Sequence, residues 1–137
     1  MQNYVLGFLF NNKLDKVILI EKNRPEFLKG KLNGIGGKVE LNETYIDAIV
    51  REFKEETGID IHHEEWNDLG EIKDNHFFVQ SFYAKVNDKR FDECKTMETE
   101  KVLKFSVNEL NNDSYSFAPH VLQIINEALF LLNKKGK

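Results

Sequence analysis

The chain has 137 residues and a mass of 16.0 kDa, and 19 Lys and Arg against 23 Asp and Glu leave a formal charge of −4. One core organises roughly 100–200 residues, so a single domain over 1–137 is expected, and 41% hydrophobic with 31% charged residues excludes a disordered chain. The mild acidity excludes a large nucleic-acid surface, which needs concentrated Lys and Arg, and the lone Cys94 excludes an internal disulfide or a Cys-rich metal site.

Residues 4–10 and 16–21 are apolar and rich in β-branched residues, and the turn-like Asn11-Asn12-Lys13-Leu14-Asp15 between them predicts a hairpin. The first run has no basic residues ahead of it, so it does not read as a secretory signal. A glycine-rich passage follows at Gly30, Gly34, Gly36 and Gly37. Residues 45–57 carry Ile46, Ile49, Val50 and Phe53 at helical spacing. Thr44 is the expected N-cap, with Asp47 completing a capping-box pattern, and Gly58 is the left-handed stop. Segments 69–73, 76–86 and 101–107 read as strands, and 117–133 reads as a packed helix carrying Val121, Ile124, Ile125, Ala128 and Leu132. Strands on both sides of one helix, closed by another, predict an α+β domain with a mixed sheet. No segment approaches the roughly 18 apolar residues of a membrane span. A cytoplasmic protein is expected, as monomer or homodimer.

The chemistry concentrates in Gly36-Gly37-Lys38-Val39-Glu40, then Glu43, then Arg51-Glu52-Phe53-Lys54-Glu55-Glu56-Thr57-Gly58-Ile59. Glu52, Glu55 and Glu56 share one side of the helix, where like charges cost roughly 0.2–0.5 kcal/mol per pair. Taken alone, that spacing is more commonly a solvated face neutralised by Arg51 and Lys54. The upstream glycines, Glu43 and Arg51 tip the reading toward a hard-cation site, since oxygen-rich clusters without thiols suit magnesium or manganese. Glycine backbone can also approach a metal or phosphate without an intervening side chain.

The segment Gly37 to Ile59 resembles the Nudix box, and Gly37, Glu43, Arg51, Glu52, Phe53, Glu55, Glu56, Gly58 and Ile59 fill its fixed positions. The resemblance implies an α/β/α sandwich and hydrolysis of a nucleoside diphosphate linked to another group. It implies Mg²⁺, or Mn²⁺, held by Glu52, Glu55, Glu56 and the Gly36 carbonyl, with Glu52 or a carboxylate outside the box orienting water. Glu43 and Arg51 are expected to hold the box rigid. A further carboxylate is expected before the last strand; Glu100 is preferred, with Glu98 as the alternative.

Leu32-Asn33-Gly34-Ile35-Gly36-Gly37-Lys38-Val39 is similar to a segment of the MutT-like enzymes, and Asn112-Asp113-Ser114-Tyr115-Ser116-Phe117 to one of their animal members. This implies Asn33 and Asp113, with Asn112 beside it, as readers of a purine edge in a nucleoside triphosphate, an oxidised purine being one candidate. Leu32, Asn112 and Ser116 depart from those patterns, leaving Phe27, Tyr115 or Phe117 as stacking surfaces. The alternatives are a turn cap at Asn33 and a helix N-cap at Asp113-Ser114. Among Lys22, Arg24, Lys29, Lys31 and Lys38, the preferred phosphate contacts are Lys38 and Arg24, and Gly37 completes the expected substrate-binding set. The histidines lack metal spacing, Trp66 reads as core, and Cys94 reads as a loop residue whose acidic neighbours disfavour thiolate. Many ADP-ribose hydrolases carry a Pro about fifteen residues after the box, where this chain has Lys73-Asp74-Asn75, and dinucleoside-polyphosphate hydrolases often carry a Tyr slightly further on, where it has Phe77-Phe78. Both substrates and capped RNA remain open, as does a nucleotide-sensing module without catalysis.

Overall fold

A computed structural model describes residues 2–73 and 75–135; Asp74 and the Gly136–Lys137 end of the basic tail lie outside the described residues. Alternation along the strands decides the architecture. In β1 (Gln2–Asn11) Val5 and Leu9 enter one apolar cluster while Phe8 and Phe10 enter another. In β2 (Lys16–Glu21) Ile18 and Ile20 oppose Val17 and Leu19 in the same way. Both faces of these strands are therefore covered. The two form the expected hairpin with Phe10 opposite Val17, and the Asn11 Oδ1 closes it by accepting from the N–H groups of Asp15 and Lys16 at 3.1 and 3.0 Å.

The glycine-rich passage is not a loop throughout: β3 (Leu32–Asn33) pairs with β2, and β4 (Ile35–Lys38) pairs with β1. The strands β5 (Asn67–Lys73), β6 (Phe77–Val86) and β7 (Lys101–Ser106) complete a seven-stranded mixed sheet among the described residues. β1 runs parallel to β6 along its whole length, from Gln2 opposite Phe77 to Asn11 opposite Val86. Its other edge is shared by β2 and β4, both antiparallel. β7 runs antiparallel to β2, with Glu21 opposite Lys101.

Helix α1 (Tyr45–Thr57) covers one face through Ala48, Ile49 and Phe53, joined by Phe91 of the short α2 (Asp88–Glu93). Helix α3 (Val121–Lys135) covers the other through Val121, Ile124, Ile125, Ala128 and Leu132. Each Val, Leu, Ile or Phe side chain among these, fully buried, contributes about 1.5–3 kcal/mol. The α/β/α sandwich expected from the sequence is the observed fold.

Four local expectations change. The last helix begins at Val121 rather than at 117, because the backbone of 116–118 is taken by β3: Leu32 N–H donates to Ser116 O at 2.8 Å, and Ala118 N–H donates to Leu32 O at 2.9 Å. Asp113-Ser114 therefore lies well upstream of the helix and does not cap it. The capping box at Thr44 is only half formed: Thr44 Oγ1 accepts from Asp47 N–H at 3.2 Å, while the Asp47 carboxylate turns to His63 Nε2 at 2.6 Å. Cys94 is not in an open charged loop but caps α2 inside the core, where burial first of all pushes its thiol up to about 11.

Candidate active site

Helix α1 carries the box carboxylates, and its ends are fixed by local chemistry. Thr44 caps the first turn, and Gly58, at φ 81°, donates its N–H to Lys54 O at 2.9 Å. Two carbonyls at the C-terminal end accept from the loop between α2 and β7, Met97 N–H to Glu56 O and Lys95 N–H to Thr57 O, both at 3.1 Å. That loop carries Glu98 and Glu100, so the end of α1 holds the outer carboxylates beside the box.

Arg51 is the hub. Its Nε and Nη2 grip Glu43 bidentately at 2.7 and 2.9 Å, its Nη1 reaches Glu52 Oε1 at 2.8 Å and Glu55 Oε2 at 3.3 Å, and its Nη2 donates to Lys38 O at 3.1 Å. Glu40, not anticipated from the box pattern, adds an ion pair at 3.3 Å. The Glu43 hydrogen bonds hold the guanidinium more firmly protonated than usual and hold the Glu43 carboxyl below its ordinary range. Glu43 and Arg51 thus connect the turn after β4 to α1.

Gly37 lies directly against Glu52. A Cβ there would stand 2.6 Å from the Glu52 Cδ, whereas one on Gly36, opposite Leu6 in β4, would stand 1.8 Å from Val5 O. Gly37 lets the strand and the carboxylate lie closer than a Cβ allows, and Gly36 does the same for the two paired strands.

Glu52 and Glu56 point inward. Burial raises the Glu52 carboxyl despite Arg51, and Glu55 and Glu98 raise it further. Glu56 is only 7% exposed, and its Oε2 has no hydrogen-bond partner. Burial pushes this carboxyl up to about 8, followed by Glu52; Lys22 opposes the shift, while Glu100 and Glu98 add to it. Glu100 is held at both oxygens, by Lys22 Nζ on Oε1 at 3.1 Å and by Asn23 N–H on Oε2 at 2.6 Å.

These observations decide whether the residues suit a divalent cation. Among the described residues, no three acidic, His or Cys side chains already converge on one ion-sized point. Arg51 holds Glu52 and Glu55, and Lys22 with Asn23 holds Glu100. Yet the donors are all carboxylate oxygens, one buried oxygen has no partner, and several acids raise one another's affinity for a proton. A hard cation suits that set.

The other expected contacts divide. Lys38 and Arg24 are exposed, and neither side chain forms an ion pair among the described residues; the ammonium that reaches the carboxylates is that of Lys22. The segments around Leu32 and Ser116 do converge, with Leu32 bridged to Phe117 beside a cavity of about 480 Å³ lined by Leu32, Leu103, Phe105, Ser114, Tyr115 and Ser116. Neither Asn33 nor Asp113 lines it. Asn33 sits opposite Ile20, on the α1 side of the sheet, and its Oδ1 accepts from Gly34 N–H at 2.8 Å, the turn contact foreseen as its alternative. Asp113 is exposed. Trp66 is buried against Phe53, and His63 pairs with Asp47.

Comparison with protein families matches residues 2–123 to the NUDIX domain. Among solved structures, the fold is similar to MutT studied from Aliivibrio salmonicida and Vibrio cholerae, with TM-score 0.74, 25% identity, and 92% and 98% of the two chains covered. It is also similar to a NUDIX-family hydrolase from Clostridium perfringens, with TM-score 0.75, 21% identity, and 96% and 97% covered. The NUDIX domain of Shewanella oneidensis NrtR, complexed with ADP ribose, matches at TM-score 0.78 and 18% identity, with 95% and 87% covered. Comparison with curated proteins gives no match.

Proposed function

Because the chain belongs to the Nudix family, and is thereby a pyrophosphohydrolase of nucleoside diphosphates linked to a further group, we propose that its substrate is a purine nucleoside triphosphate. The products are the monophosphate and pyrophosphate, and the cofactor is Mg²⁺, with Mn²⁺ as a substitute. The observation that carries the cation reading is Glu56 Oε2, buried and unpartnered beside Glu52, Glu98 and Glu100. Glu52, Glu55, Glu56 and Glu100, with the Gly36 carbonyl, would hold the cation, which when bound neutralises phosphate charge and aligns the phosphoryl group.

The chain's own residues supply the rest. Arg51 fixes Glu52 through a 2.8 Å hydrogen bond while Glu43 fixes Arg51, so Glu52 meets the attacking water from a preset position. The close approach of Gly37 keeps the strand backbone next to that carboxylate, where phosphate oxygens can reach it. The purine assignment rests on Asn33, which faces the carboxylate side of the sheet. Its Oδ1 is used internally, leaving its amide NH₂ to donate to a base carbonyl or ring nitrogen. Asp113 is retained as the second base contact.

The test is hydrolysis of 8-oxo-dGTP, dGTP, ATP and ADP-ribose with Mg²⁺, following both phosphate and pyrophosphate. Triphosphates should yield pyrophosphate, EDTA should stop turnover, and Glu52→Gln should lower kcat by on the order of 10²-fold. Asn33→Ala should erode discrimination among bases more than it slows a poor substrate. A clear preference for ADP-ribose, or equal rates on all four, refutes the purine triphosphate assignment.

A further inference from the structure

The two ion pairs at the carboxylate site differ in kind. Arg51 grips Glu43 at two points, at 2.7 and 2.9 Å, the short bidentate geometry of a lasting support. Lys22 touches Glu100 at one oxygen only, at 3.1 Å, longer than a strong charge-assisted bond. The other oxygen, Oε2, is held independently by Asn23 N–H at 2.6 Å, and Asn23 Nδ2 is tied to Thr99 O at 3.2 Å. Glu100 can therefore release Lys22 without leaving its place. The main chain of Lys22 is equally fixed: its N–H donates to Lys31 O at 2.9 Å, and its carbonyl accepts from Gly30 N–H at 2.8 Å. Only the flexible ammonium arm is free to move.

Register explains the meeting. β2 and β7 are antiparallel with Glu21 opposite Lys101, so the next positions along each chain, Lys22 and Glu100, face each other where the ladder ends. Both side chains are largely buried, 20% and 12% exposed, so an unpaired Glu100 would be costly there.

We propose that Lys22 is an exchangeable counter-ion: it holds Glu100 Oε1 in the cation-free protein, yields that oxygen to the divalent cation, and turns its ammonium to the phosphates of the incoming nucleotide. The inference rests on the cation-dependent hydrolase reading above. It makes Lys22 a residue with two partners in turn, and it assigns the phosphate-contacting role to Lys22 instead of the exposed Lys38 and Arg24.

Mn²⁺ binding without nucleotide, followed by electron paramagnetic resonance, separates this role from a purely structural one. Lys22→Met should bind Mn²⁺ about three- to tenfold more tightly than the parent, while KM for the triphosphate rises about tenfold and kcat changes less. Lys22→Arg should recover the KM. Adding Lys22→Met to a Glu100→Gln protein should give no gain in Mn²⁺ affinity over Glu100→Gln alone. Thermal melts establish that each variant folds, and Lys22→Gln carries the same test where Lys22→Met does not. Unchanged or weaker Mn²⁺ binding in the Lys22 variant overturns the exchange, and so does a gain that survives Glu100→Gln, because that would be general charge removal. A parent that binds Mn²⁺ but cleaves no nucleotide overturns the hydrolase reading and the phosphate role, and the Mn²⁺ comparison then decides the counter-ion role alone. A parent that binds no Mn²⁺ overturns both.

Discussion

Replacing Gly37 by alanine should leave the protein folded and nearly silent. The new Cβ would lie 2.6 Å from Glu52 Cδ and Oε2 and 2.7 Å from Oε1, where ordinary contact begins at 3.4 Å. The carboxylate must therefore retreat by about 0.8 Å. Its head is the far end of a flexible side chain, so the retreat is a torsional displacement costing about 0.5–1.5 kcal/mol, together with part of the 2.8 Å hydrogen bond from Arg51. Turnover is more sensitive than stability, since a misplacement near 1 Å at a reacting centre costs on the order of 10²-fold. Gly36→Ala is the contrast. Its Cβ would meet Val5 O at 1.8 Å and Val5 C at 2.8 Å, main-chain atoms of the paired strand that cannot swing aside. A loss of about 3 kcal/mol or more is expected there. Thermal denaturation in EDTA and kcat at saturating Mg²⁺ check both variants. A Gly37→Ala protein with kcat within about twofold of the parent refutes the placement of Glu52 at the reacting centre. A Gly37→Ala melting loss as large as that of Gly36→Ala shows that something other than the carboxylate must yield.

The Glu56 carboxyl, pushed up to about 8 by burial and then by Glu52, keeps a proton that the unfolded chain releases near 4.5. The stability it contributes is complete below pH 4.5 and is lost as the pH rises toward 8. Melting temperatures in EDTA should fall across that window, and a slope unaltered by Glu56→Gln contradicts the assignment. Separately, a double-mutant cycle on Arg51→Ala and Glu43→Ala should show coupling of about 1–3 kcal/mol in stability, because the bidentate pair is largely buried; additive losses within about 0.5 kcal/mol argue against it.

Helix α1 was legible from the sequence because both its ends carry their own signals, Thr44 and Gly58, and its apolar face repeats at helical spacing. The beginning of α3 was hidden. Leu32 claims the backbone of Ser116 and Ala118, a contact between distant residues that no local pattern records. The strand at Ile35–Lys38 is concealed by its two glycines, whose low strand preference is overridden by pairing with β1, and the one at Leu32–Asn33 is too short to show a period before it pairs with β2. At the site, the fixed spacing of the box brought out Glu43, Arg51, Glu52 and Glu56. Nothing local in the sequence ranks Lys22 above Lys38, Arg24 or the other cations that precede or enter the box. The signal for Lys22 lay in the register of β2 against β7, with Glu21 opposite Lys101, which becomes visible only once those strands are paired.

The parallel pairing of β1 with β6 also sets the order in which the polypeptide can assemble. β1 is synthesised before β6, so one of its edges waits for residues 77–86. Until they emerge from the ribosome, Leu6, Phe8 and Phe10 belong to a strand with one bare edge, the kind of surface that recruits other chains. The nascent protein can form its hairpin and the box helix at once, but closing the sheet means joining segments 75 residues apart, which favours slow folding. Crowded expression and premature termination between β4 and β6 thus expose the same adhesive edge.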